Sequence, residues 1–365
     1  MSIFAPCFRP PTARAASVLF QLMASAAGAL ALGVGPAGAQ DNDAAGAQVR
    51  SLIGLDLAAL GRLQVFSASR ELTSLEQAPS VVTLITAEEI RRRGYKRLAD
   101  VFDRVPGFYN SHDIGESLIA ARGFVQNPNN SFLLLVDGHS INSVADEGIG
   151  NNHLMPQLHQ VKRIEILRGP GSTLWGGDAA NGIINVITFD GRDLVDSEHP
   201  FSEVVVGREF GRPLDMASFL GGVRLGDRGD AMLSVNYSQS KAEFLPATVF
   251  NSTGPRVTDQ YKYEAWRPSH EVQLKARWGD FRLNARSARQ NAYYRNIVAR
   301  PEDDTRDFEF DFVQLAIASE LGPAMSVDAS VHHNRSDVNR YTYRPDGSLL
   351  TGALSGYSES GLTAG

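Results

Sequence analysis

The residues that could do chemistry are few, and their spacing limits what they could do. The densest run of small residues is Gly169-Pro170-Gly171-Ser172-Thr173-Leu174-Trp175-Gly176-Gly177. A glycine-rich loop can cradle phosphate, but this one lacks the Gly-Lys-Ser/Thr ending of a P-loop. It also lacks the G-x-G-x-x-G spacing of a dinucleotide site. Tight turns where backbones approach closely account for it better. His153, His159 and the pair His332-His333 do not fall at ligand spacing with carboxylates, so no metal site is expected. There is no G-x-S-x-G elbow, no H-E-x-x-H, and no supported carboxylate pair. The sole cysteine, Cys7, lies in the first segment of the chain. The sequence therefore offers no catalytic constellation and implies no cofactor.

The elements around these residues are organised in blocks. Arg9 and Arg14 precede an Ala- and Leu-rich stretch that ends Ala37-Gly38-Ala39, the pattern of a cleavable export signal over 1–39. Cleavage would remove Cys7 and two positive charges, leaving the chain more acidic than its formal −6. An acidic balance argues against nucleic acid as the main partner. Apolar residues make up 43% and charged residues 21%, which excludes a mostly disordered chain. No later apolar run is long enough for a membrane-spanning helix. Residues 40–50 are polar and small, and Leu52, Ile53, Leu55, Leu57 and Leu60 fit one short amphipathic helix.

From Pro79 to Thr188 the pattern mixes α and β. A β-rich run, Val81–Ile85, leads to Thr86, a helix N-cap with Glu89 three residues on, which predicts a capping box. Gly94 is placed to end that helix. Leu98, Val101, Phe102 and Val105 form one apolar face of a second helix, ended by Pro106-Gly107. Strand-like runs follow at 118–121, 132–136, 161–167 and 183–188, with Asp137-Gly138 as a turn signal. From Phe201 the period becomes two. Strands are expected near 201–210, 215–226, 230–240, 268–278, 280–294, 307–321 and 324–338, with a bulge in 307–321 where the apolar phase changes after Phe312. Links at 226–229, 279–280 and 322–323 are short. Those at 241–267, 295–306 and from 339 onward are long. Strict alternation of short and long links, with strands of about ten residues, is the pattern of a transmembrane β-barrel.

Five segments, in order, make residues 78–188 resemble the plug domain of TonB-dependent outer-membrane receptors. They are APSVVTLITAEEI (78–90), LADVFDRVPGF (98–108), ARGF (121–124), LLLVDGHSI (133–141) and RIEILRGPGSTLWGGDAANGIINVIT (163–188). The resemblance implies an α+β plug (78–190) followed by an antiparallel transmembrane β-barrel, of which 200–365 supply the N-terminal part. It implies that 40–77 form a periplasmic segment. Within it, Leu63, Gln64, Val65, Phe66 and Ser67 occupy the place of the TonB box, an extended peptide that adds a strand to the energy-transducing partner. It implies that Arg122 and Arg168, each beside a glycine at a strand end, lock the plug to barrel glutamates. The plug's outward loops, near 109–117, 125–131 and 143–153, would offer Tyr109, His112, Asn127, Asn129, Asn130, Asp146 and Glu147 to a ligand.

The function so implied is active uptake of a scarce nutrient across the bacterial outer membrane, with a ferric siderophore as the usual cargo. Cobalamin, another chelate or a sugar is the alternative. The partners are the TonB complex, a small-molecule ligand and outer-membrane lipid. A different class, a binding or adhesion barrel with a fixed plug, would bind without energy-dependent uptake. A plugged barrel has about 22 strands, and only seven or eight are counted after Thr188. The chain is accordingly expected to be a fragment, ending in loop-like sequence and leaving an open sheet edge.

Overall fold

The computed structural model describes residues 64–65, 73–74 and 81–364, apart from short internal stretches of which 124–131 and 143–156 are the longest. The expected signal and the helix over 52–60 lie outside the described residues. A two-residue strand, β1 (Gln64–Val65), pairs antiparallel with β2 (Thr73–Ser74).

The plug begins with β3 (Val81–Thr86) and α1 (Ala87–Arg93). Thr86 caps α1, its Oγ1 accepting from the Glu89 N–H at 3.3 Å. The Glu89 carboxylate instead accepts from Arg93 Nε, one turn on, at 2.8 Å, so the observed cap is the Thr86 half of the expected box. Gly94 ends the helix at φ 69°, as its lack of a Cβ permits. Helix α2 (Leu98–Phe102) is only five residues long. Val105, expected on the same helical face, follows in a turn, yet Leu98, Val101, Phe102 and Val105 are all buried. Next come β4 (Phe108–Asp113) and β5 (Glu116–Ala121), an antiparallel hairpin. A loop was expected over 109–117; Tyr109 and His112 instead stand on β4, because the segment closes its backbone bonds against 116–121. Then follow β6 (Phe132–Val136), β7 (His139–Ser140), β8 (Val161–Arg168) and β9 (Gly182–Thr188). The order β3-β8-β9-β6-β7 makes a five-stranded sheet. Its central strands are buried on both faces, which explains their unbroken apolar runs. One face belongs to the large core with Phe102, Phe132 and Ile164; Leu133, Leu135, Leu167 and Ile183 form a second cluster.

A four-residue helix, α3 (Gly191–Leu194), leads from the plug to a larger sheet. Its strands are β10 (Phe201–Glu209), β11 (Leu214–Leu225), β12 (Gly229–Ser240), β16 (Ser269–Trp278), β17 (Phe281–Asn296), β18 (Glu302–Gly322), β19 (Met325–Tyr343) and β20 (Leu349–Ala364), antiparallel in that order. The link after β12 holds a hairpin, β13 (Phe244–Asn251) with β14 (Gly254–Lys262), and a short β15 (Ala265–Trp266) paired to β17. All three stretches expected as long links are therefore largely strand: 241–267, 295–306 (the ends of β17 and β18), and the chain from 339 onward. Among the described residues β10 and β20 do not pair with each other, so the sheet is not closed.

The expected bulge after Phe312 is absent, since β18 pairs in continuous register with β17 to Ile317 and with β19 to Glu320. What changes is the meaning of the two faces. Phe308, Phe310 and Phe312 are buried in the same cluster as the plug core, with Ala288 and Val338. Val313 and Leu315, on the opposite face, are exposed. They continue an outward apolar band with Val206 (77% exposed), Trp278 (57%), Phe281 (62%) and Val331. Trp278 and Phe281 sit at the Gly279-Asp280 turn, where an aromatic girdle belongs in a membrane barrel. Toward the long links the outward face becomes charged: Arg289 contacts Glu309 and Asp311, and Arg335 contacts Asp337.

Gly191 fixes how closely α3 approaches the wall. A Cβ there would meet Ala231 backbone atoms at 2.5 to 2.7 Å. Backbone cannot swing aside as a side chain can. Gly191→Ala should cost about 1–3 kcal/mol of stability, seen as a lower melting temperature; an unchanged melt would show that α3 is not seated this tightly.

Candidate functional site

The polar inner face of the sheet meets the plug along one seam. Its midpoint is Asp137, the first residue of the turn joining β6 to β7. Asp137 (φ 50°) and Gly138 (φ 83°) both take positive φ, the requirement of a type I′ hairpin turn. Asp137 is the one non-glycine with positive φ among the described residues. Its carboxylate accepts from the Thr188 N–H (2.9 Å), the Thr188 hydroxyl (2.7 Å), Gln273 Nε2 (2.9 Å) and Lys275 Nζ (3.2 Å). Lys275 also reaches Asp190 Oδ1 at 2.8 Å and Thr188 Oγ1 at 3.2 Å. One wall ammonium is thus held between two plug carboxylates.

A second group lies higher on the wall. Glu271 accepts from Gln160 Nε2 (2.7 Å) and from the Gln157 N–H (3.1 Å), both of the plug. It also accepts from Arg286 Nε of the neighbouring strand at 2.7 Å. Asn236 Nδ2 donates to Gln160 Oε1 at 3.2 Å. Glu271, Arg286, Asn236 and Gln160 are all buried. Buried charge is tolerable only when paired and hydrogen-bonded, and here it is both. At the edges, Arg192 N donates to Asp230 Oδ1 at 3.2 Å, and His139 Nε2 meets Gln314 Oε1 at 2.9 Å.

Burial pushes the Asp190 carboxyl up, but Lys275, with Arg192 and Lys162, outweighs it and holds the group below its ordinary 3.8. Burial holds His139 below its ordinary 6.5, against the opposing pull of Gln314 and Asp137. His159 is lowered for the same reason, against Glu203. Both imidazoles are therefore neutral when the plug is docked. Below about pH 6.5 the unfolded chain takes up protons that the folded one resists. Their contribution to stability is full above 6.5 and fades as the pH falls from there, whereas that of Asp190 is lost only on falling below 3.8. Melting temperature should drop between about pH 7 and 5.5; a flat profile over that window would contradict it.

Of the residues singled out from sequence, Arg168 is described and its Nη1 donates to the Pro106 carbonyl inside the plug at 3.3 Å. Gln64 and Val65 form β1, while Leu63, Phe66 and Ser67 lie outside the described residues. Tyr109 is exposed on β4, and His112 is on the same strand. Arg122, Asn127, Asn129, Asn130, Asp146 and Glu147 lie outside the described residues. The seam residues Asp137, Gln160, Asp190, Glu271 and Lys275 were not singled out. The local signals near them were the Asp137-Gly138 turn and the polar half of the alternation in 272–278, which holds Lys275. Among the described residues no group of three or more His, Cys, Asp or Glu is arranged to hold a metal.

A globular α+β unit pinned by polar contacts to the polar inner face of an antiparallel sheet with an apolar outer face is the architecture of a plug seated against β-barrel wall. Residues 74–183 match the family model described as TonB-dependent Receptor Plug Domain, and this region is such a plug. The chain is 40% identical over 127 residues to the vitamin B12 transporter BtuB of Vibrio vulnificus, covering 34% of this chain and 20% of that one. It is 27% identical over 207 residues to the iron-regulated outer membrane virulence protein of Vibrio cholerae, covering 55% and 31%. The siderophore receptor PirA of Acinetobacter baumannii shares the fold with TM-score 0.57 at 17% identity, over 78% of this chain and 45% of that one. The ferric enterobactin receptor PfeA of Pseudomonas aeruginosa gives 0.55 at 17%, over 80% and 46%. The chain thus spans less than a third of either Vibrio relative.

Proposed function

We propose that the protein is a TonB-dependent receptor for active uptake of a scarce nutrient, a ferric siderophore in the first place, driven by the inner-membrane proton gradient. The observation that carries this is the seam: a plug held to the wall by hydrogen bonds and ion pairs, which can be broken and remade, rather than by a covalent tie. In this reading 1–39 are a signal, 40–77 reach into the periplasm, 78–190 form the plug and 200–365 are barrel wall. TonB takes the backbone edge of Leu63–Ser67. Ligand meets the outward side of the plug through Tyr109, His112, Asn127, Asn129, Asn130, Asp146 and Glu147. Arg122 and Arg168 join the plug to barrel glutamates. The match to a vitamin B12 transporter supports cobalamin as the second cargo. A strain lacking the protein, grown on single iron or cobalamin sources with and without TonB, tests the reading. Growth on one source that needs both proteins is expected. Growth that needs this protein but not TonB would favour a passive binding barrel.

A further inference from the structure

Two plug histidines touch the wall, and what each meets there differs. His139 of β7 faces β18 and β19. Its Nε2 meets Gln314 Oε1 at 2.9 Å, and its ring centroid lies 4.3 Å from that of Phe312 and 5.9 Å from that of His332. His332 stands opposite Gln314, in an inner row of the wall that also holds Lys275. In that row and the two beside it, from β16 to β20, the charged residues are Lys275, Arg277, Arg282, Arg286 and Glu359. Every acid around them already serves another group. Asp137 holds Lys275, Asp230 holds Arg277, Glu271 holds Arg286, and Glu359 accepts from the Tyr357 hydroxyl. His159, just before β8, faces β10 instead. Its Nε2 is buried 3.9 Å from Glu203 Oε2 and makes no hydrogen bond among the described residues. Arg91 of α1 is the other charge near it. A proton on His139 therefore meets an imidazole and a wall rich in cations, whereas a proton on His159 meets a carboxylate.

We infer that mild acid opens the seam on one flank only: β7 swings off β18 and β19, hinged at Asp137, while the contacts at Lys275, Glu271 and His159 hold. Carboxylate, ammonium and guanidinium groups ordinarily keep their charge between about pH 5.5 and 7.5, whereas imidazole does not. With both rings protonated, His139 and His332 present like charges to each other across the seam. The burial that keeps His139 neutral ends once β7 lifts, so opening takes up a proton. Burial keeps His159 neutral too, but a proton there gains Glu203 without the plug leaving the wall. The hinge is the turn whose Asp137 and Gly138 both take positive φ, with Lys275 gripping the Asp137 carboxylate. The inference rests on the uptake reading for its use: in mild acid, a pull on the plug meets a seam already open along β18 and β19.

Spin-label distances in the receptor extracted from outer membranes test it, in a Cys7→Ser background so that only introduced cysteines are labelled. One pair, Ser140→Cys with Ser330→Cys, spans β7 and β19. The other, Arg192→Cys with Arg224→Cys, spans α3 and β11. From pH 7.5 to 5.5 the first pair is expected to lengthen and the second to stay. The ratio of open to docked molecules should rise about tenfold, as uptake of one linked proton allows. His139→Gln keeps an amide for Gln314 and should hold the first pair docked at both pH values. His332→Glu gives a protonated His139 a carboxylate and should abolish or reverse the opening, a reading that stands even if His139→Gln fails to dock. A first pair that does not move in the wild type overturns the inference. So do two pairs that lengthen together, since the plug is then leaving as a whole, and so does His332→Glu opening in acid as the wild type does. Neither ligand nor TonB is present, so failure here leaves the uptake reading standing. Growth that does not need TonB would remove that reading and leave the acid response intact.

Discussion

Lys275→Met should undock the plug, at a cost of about 3–5 kcal/mol. Methionine fills much of the lysine volume, so packing loss is small and the effect isolates the charge. The ammonium stands 3.2 Å from Asp137 and 2.8 Å from Asp190, with Thr188 completing its contacts. Removing it leaves the buried Asp137 carboxylate without its cation and Asp190 with only Arg192 and Lys162 nearby, and the penalty is mainly the stranded burial of Asp137 rather than the worth of one ion pair. The plug should become sensitive to protease at Asp137-Gly138 and near Asp190. Combining Lys275→Met with Asp137→Asn and Asp190→Asn should recover much of the loss, because no charge is then stranded. Failure of the triple variant to recover any stability would show that Lys275 acts through packing.

Glu271→Ala is the second large effect, again about 3–5 kcal/mol. Glu271 serves Gln160, the Gln157 N–H and Arg286 at once. Alanine takes the Glu271 carboxylate from the Arg286 guanidinium, which is 4% exposed and lies over the Phe310 ring at 5.3 Å. It also frees the plug segment 157–160 from the wall. Arg286→Met in the Glu271→Gln background should be far milder, since a neutral amide still accepts from Gln160. Measured unfolding of wild type, Glu271→Gln, Arg286→Met and the Glu271→Gln/Arg286→Met double variant closes a double-mutant cycle; additive losses would mean the two side chains are not coupled.

The plug core was readable because its signals are local. Leu98, Val101, Phe102 and Val105 mark a buried face at helical spacing, Thr86 and Gly94 bracket α1, and Asp137-Gly138 marks a turn. The wall strands were readable from alternation alone. Which face looks inward was harder. Phe308, Phe310 and Phe312 are apolar and inward because the plug covers them, while Val313 and Leu315 are apolar and outward because lipid would. One strand therefore carries both patterns, and the change of phase imitates a bulge. The long links were misjudged because β13 and β14 and the outer ends of β18 to β20 leave the apolar band, so their alternation is not between oil and water. The seam was hidden for another reason. Gln160 and Glu271 are 111 residues apart in sequence, and Asp137 and Lys275 are 138 apart. No local pattern announces such pairs, and Asp137 reads as an ordinary turn residue until Lys275 is placed beside it.

The most direct test of the receptor reading separates binding from entry. Cells producing the receptor with residues 62–67 deleted are given a labelled ferric siderophore that the wild type takes up. Surface binding should stay at the wild-type level while accumulation falls to that of cells treated with a protonophore. Accumulation that continues undiminished after the deletion, or after the proton gradient is collapsed, would contradict it.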